Sequence, residues 1–161
     1  NWILENLDEI LKRNEELLIP LVEGSNIVKR EVVEIDPTEQ NERATLNFGH
    51  TLGHAVDKLM NFKLLHGHCV ALGALAAMNL CKSRALIKAE EVEQYRTSME
   101  KCGMPMKVEN LDKKAIIAAT KNDKKMEAGV IKFVLLDQVG HAYIDRTVTE
   151  EEMEQALSSI M

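Results

Sequence analysis

The chain has 161 residues, 45% of them hydrophobic and 29% charged, and a formal net charge of −6. That length and composition fit one well-buried globular domain, and the acidic balance, without a basic arm to follow a phosphate backbone, argues against nucleic acid as a partner. No apolar run approaches the ~20 residues of a membrane span and no signal peptide opens the sequence, so a cytoplasmic protein with no membrane partner is expected.

The chain starts inside an apolar pattern, with Trp2, Ile3, Leu4, Leu7, Ile10 and Leu11 at helical spacing and no initiator Met, as expected for a piece of a longer protein. A first helix is predicted from near Asn1 to about Leu18, punctuated by Pro20 and then Gly24. A second, capped by Ser25 or Asn26, continues through Ile27, Val28, Val32 and Val33. The polar stretch DPTEQNER reads as a loop, since Pro37 disfavours helix at Asp36.

From about Arg43 to Met60 the pattern is helical again, and a short connector, NFKLLHGH, leads to the apolar run CVALGALAAMNLCKSRALI, read as a central buried helix. An amphipathic helix, KAEEVEQYRTSMEKCG, closes at Gly103 and Pro105, and a shorter one follows in NLDKKAIIAATKNDKK. Two β-rich runs in GVIKFVLLDQVGHAYI flank a turn at Gly140 and predict a hairpin. A last helix starts after Thr149, a cap placed before a run of Glu at the positive helix end. The fold class expected is therefore mainly α, a single helical domain over residues 1–161 with one small β-hairpin. Cys69, Cys81 and Cys102 are too few and too scattered for a disulfide framework and read as reduced thiols.

Four of the five histidines fall between His50 and His68. On a helix, His50 and His54 share one face and can point into one cavity. Neutral imidazole is a good zinc ligand, and catalytic zinc sites take three protein ligands and leave a position open. The pair alone also fits two hydrogen-bonded core histidines. His66 and His68, at the entrance to the next buried helix, strengthen the metal reading. Arg43, Asn47, His50 and His54 trace one stripe of the predicted helix, and Arg, Asn and His suit a pocket for an oxygen-rich anion beside a metal better than a solvated face does. Lys29, Lys124 and Lys125, taken singly, read as surface lysines.

RATLNFGHTLGHAVD, then LLHGHCVALG, then NDKKMEAGVIKFVLLDQVG, in that order over nearly the whole chain, resemble the C-terminal domain of the 3-dehydroquinate synthase family. The resemblance implies zinc, or another divalent metal, on His50 and His66, with a third ligand, a Glu, upstream of Asn1. It implies substrate contacts from Arg43, Asn47, His54 and Lys29, of which His54, Lys29 and Asn47 take part in catalysis. It further implies a phosphate-binding lysine at Lys124 or Lys125, with Lys125 favoured.

The implied activity is conversion of 3-deoxy-arabino-heptulosonate 7-phosphate, a sugar phosphate, to 3-dehydroquinate and phosphate in the shikimate pathway. The implied NAD would be bound mainly by an N-terminal nucleotide-binding domain absent from this chain, so the chain alone should not turn over. The full-length protein is expected to be a homodimer. Two departures are plain: no GxGxxG loop occurs, and His68 stands where most members carry Glu. Three rival readings predict different behaviour: another sugar phosphate cyclase, a metal-dependent alcohol dehydrogenase of the related fold, or a noncatalytic helical module whose histidines are structural.

Overall fold

The computed structural model describes residues 2–39, 42–61, 63–121 and 131–161. The chain divides into two compact units, Asn1–Leu46 and Asn47–Met161.

The first unit holds α1 (Trp2–Glu5), α2 (Leu7–Leu11) and α3 (Glu15–Ile35). The expected helix over residues 1–18, ending ahead of Pro20, is corrected here. Arg13 turns the chain at φ 61°, and Asn14 starts a new helix by accepting a hydrogen bond from the Glu16 amide at 3.0 Å. Glu15 and Glu16 then sit at the positive end of the helix dipole. Pro20 falls early in this restarted helix, which runs on through Gly24 and absorbs both residues. No residue of α3 is buried within this unit. Past it, the Asp36 carboxylate accepts the Arg43 amide at 3.1 Å, and the Arg43 guanidinium donates to the Pro37 carbonyl at 2.8 Å, which holds the loop closed.

The second unit is built on α4 (His50–Leu59) and α5 (His66–Ser83), joined by a short connector. α6 (Ala89–Lys101), the hairpin β1 (Phe133–Gln138) and β2 (His141–Asp145), and α8 (Glu150–Leu157) pack around α5, while α7 (Lys113–Lys121) packs on α4 and α8. Eleven of the 18 residues of α5 are buried, so it is apolar nearly all round, as a central helix must be. Leu72, Leu75, Leu80, Ile116, Phe133, Leu135, Met153 and Leu157 fill the core, and each fully buried side chain of this size contributes about 1.5–3 kcal/mol.

The expected continuous helix from Arg43 to Met60 is also corrected. Residues Glu42–Asn47 form a 3-10 helix, and Gly49, at φ 79°, breaks the chain before α4 begins. The break has a packing cause. A Cβ on Gly73 of α5 would run into the Gly49 carbonyl oxygen, and a Cβ on Gly53 would lie 2.7 Å from the Cys69 carbonyl oxygen. The two helices therefore meet backbone to backbone at Gly49 and Gly53 on one side and Cys69 and Gly73 on the other.

The hairpin pairs antiparallel, with Phe133 opposite Asp145 and a bulge between Leu136 and Gln138, ahead of a turn at Gly140. Thr149 caps α8 in a reciprocal capping box with Glu152, as its position before the Glu run predicts. Arg84, just past α5, donates to both oxygens of Glu152 at 2.7 Å and to Asp145 at 3.0 Å, tying the central helix to the hairpin and to α8. Cys69, Cys81 and Cys102 are free thiols, as expected. Among the described residues, no helix is long and apolar enough to cross a membrane.

Candidate metal centre

Spacing puts His50, Gly53, His54 and Asp57 on one face of α4, and His66, Cys69 and Gly73 on one face of α5. Because the glycines let these faces approach closely, the imidazoles converge. The ring centroids of His50, His54 and His66 lie 5.2, 5.4 and 5.7 Å apart. One ligand atom from each of the three falls within 4.8 Å of the others. His68, expected to strengthen the cluster, is not part of this group of three.

Two of the rings are oriented through Nδ1. His50 Nδ1 lies 3.2 Å from the Phe48 carbonyl oxygen, an acceptor only, so this nitrogen carries the proton. His66 Nδ1 lies 3.2 Å from Asp57 Oδ2 and donates to it. Each contact leaves the Nε2 lone pair as the atom able to ligate, the usual outer arrangement of a metal-binding histidine. A cluster of three imidazole nitrogen donors, two of them with Nδ1 already engaged, suits zinc or another borderline divalent ion. The donor set thus fits a metal.

Asp57 is the residue that sequence reasoning missed. It is buried, at 9% exposure, in the otherwise apolar half of α4. Its carboxylate accepts from the His66 ring and lies near the Cys69 thiol, both from α5. Burial pushes the Cys69 thiol up to about 11, and the adjacent Asp57 charge pushes it the same way, so the sulfur stays protonated as a donor. The available signal was an acid three residues after His54 and seven after His50, on the stripe already singled out.

The other expected site residues are spread differently. Asn47 is half-buried at the end of the 3-10 helix, and the α-helical stripe joining Arg43 and Asn47 to the two histidines does not exist. Lys29, exposed on α3, and Arg43 belong to the first unit, whereas Asn47, His50, His54 and His66 belong to the second. Lys124 and Lys125 lie outside the described residues. Beyond them, the Lys132 carbonyl accepts from the Thr51 hydroxyl at 3.1 Å, which anchors the start of the hairpin beside the first turn of α4.

Solved structures with this fold include 2-epi-5-epi-valiolone synthase from Streptomyces hygroscopicus subsp. jinggangensis, with NAD+ and Zn2+ bound. It matches 80% of this chain and 36% of its own at a TM-score of 0.70 and 24% identity. A 2-deoxy-scyllo-inosose synthase, complexed with carbaglucose-6-phosphate, NAD+ and Co2+, matches 76% and 36% at a TM-score of 0.67 and 18% identity.

In sequence, the 3-dehydroquinate synthase of Acetivibrio thermocellus is 34% identical over 94% of this chain and 42% of its own length. That of Methylacidiphilum infernorum is 36% identical over 96% and 44%. The chain thus spans under half the length of these curated relatives. The profile described as 3-dehydroquinate synthase C-terminal matches residues 1–126, taking in every histidine of the cluster, and the chain therefore belongs to that family.

Proposed function

We propose that this chain is the metal- and substrate-binding part of a 3-dehydroquinate synthase, a lyase that converts 3-deoxy-arabino-heptulosonate 7-phosphate to 3-dehydroquinate and phosphate. The observation that carries this reading is the convergence of three imidazoles within 4.8 Å, two with Nδ1 already engaged, in a chain of this family. His50 and His66 are the metal ligands. The chemistry that a divalent metal, zinc foremost, supplies when bound is Lewis-acid polarisation of a substrate hydroxyl.

His54, one turn beyond His50, holds a substrate hydroxyl by hydrogen bond and, with Lys29 and Asn47, makes up the catalytic set. Arg43 and Lys29 neutralise the substrate carboxylate, and Lys125, or Lys124 beside it, neutralises phosphate. These lysine and arginine roles rest on the family resemblance.

These 161 residues carry no GxGxxG loop to cradle the phosphates of NAD. Nucleotide binding is assigned to an N-terminal domain of a longer protein, which works as a cytoplasmic homodimer. Residues 1–161 form its C-terminal helical domain.

Calorimetric titration of zinc into the metal-stripped chain, beside His50→Ala and His66→Ala, tests the ligand assignment. Binding in the parent that either substitution abolishes is expected. Binding that survives both substitutions would sink it.

A further inference from the structure

Asp57 lies outside the residues that the proposed function uses, yet it is a buried carboxylate beside the cluster. Desolvating a carboxylate costs several kcal/mol unless donors surround it. Its side-chain donor, His66 Nδ1–H, comes from the first turn of α5, across the helix crossing. His66 is the more exposed partner, with 57% of its side chain open to solvent against 12% for Asp57. The His66 ring meets the His50 and His54 rings on one side and is otherwise open to solvent, so the contact at Nδ1 is the hydrogen bond that sets its orientation.

We infer that Asp57 is a positioning residue for the metal centre: its carboxylate holds His66 in the Nδ1–H tautomer and aims Nε2 at the cluster. The inference rests on the reading of His50 and His66 as metal ligands. The supporting carboxylate is carried on the same helix as His50, so one rigid element presents one ligand directly and orients the other.

Two measurements test this on the whole chain. The first needs neither a variant nor a metal. Long-range correlation spectra of the imidazole nitrogens, taken at a pH where the ring is neutral, should show His66 as the Nδ1–H tautomer. A predominant Nε2–H form overturns the inference. The second is zinc affinity by competition titration. Asp57→Asn, which keeps the shape but gives up the charge and one acceptor, should weaken zinc binding roughly 10- to 100-fold and raise the Nε2–H population. Asp57→Glu, with its carboxylate retained, should recover most of that loss.

A folded Asp57→Asn chain with unchanged tautomer and unchanged affinity overturns the inference, since a purely structural Asp57 moves neither. If this chain binds no zinc, the titration is repeated on a chain extended upstream of Asn1, where the resemblance puts the third ligand; no binding there defeats the ligand assignment, and the metal-free tautomer then decides the role of Asp57 by itself.

Discussion

α3 and α5 are the two longest helices among the described residues, and they are stabilised by opposite means. α3 has 21 residues and buries none of them within its unit; its start is fixed locally, by the Asn14 cap and two acidic residues in the first turn. α5 has no side-chain cap at Leu65 and carries Gly73 in its interior, yet eleven of its residues are buried. A cap and dipole contribute about 1–2 kcal/mol together, whereas burial of one leucine in α5 contributes as much again. The same helical geometry tolerates Pro20 on an exposed helix, and tolerates glycine where another helix must come close.

The sharpest way to break this contrast is Gly73→Ala. In α5 the added methyl meets the Gly49 carbonyl oxygen and the Gly53 amide, both backbone atoms that cannot swing aside. A loss of roughly 3 kcal/mol is expected in urea unfolding, with weaker zinc binding as α4 and α5 separate.

Next in size is Arg84→Ala, expected to cost about 2 kcal/mol at neutral pH by stranding Glu152 and Asp145. Its pH dependence has a definite sign. The Arg84 guanidinium holds the Glu152 carboxyl below its ordinary value of 4.5. The unfolded chain therefore binds that proton first as pH falls. The pair's stabilisation is complete above 4.5 and is lost as pH drops through the depressed folded value. Denaturation curves of parent and variant should accordingly converge in acid; a constant gap across that range would contradict the assignment.

The smallest effect, and of opposite sign, is Gly24→Ala in α3. No atom lies within 4 Å of the added methyl, so the substitution should raise stability by about 0.5–1 kcal/mol through helix propensity and unfolded-state entropy. Thermal melts of the two Gly→Ala variants side by side would set packing against propensity in one chain.

Much of the second unit was legible in the sequence. The apolar run from Cys69 to Ile87 announces a buried helix, the β-rich runs about Gly140 announce the hairpin, and Thr149 before a Glu run announces a cap, because each is written in local pattern. The joint location of His50, His54 and His66 was readable for the same reason, from a four-residue spacing followed by a short connector. The break at Gly49 was not. A glycine inside an apolar-periodic stretch fits a continuous helix until Gly73, on another element, is known to press against it. Asp57 stayed hidden likewise: its donor, His66, lies nine residues further on, across the helix crossing. Pro20 misled in the other direction: it lies inside α3, and the helix runs on through it despite the intrahelical hydrogen bond that a proline cannot donate.

The short link between α4 and α5 has a consequence for the chain's entropy. His50 and His66 sit on either side of a connector only six residues long. Loop-closure entropy grows with the logarithm of loop length. Bringing these imidazoles together is therefore among the cheaper ordering events in the protein, while the Thr51–Lys132 contact that seats the hairpin joins positions 81 apart. The histidine cluster is a short-range structure in a fold otherwise closed by long-range ones.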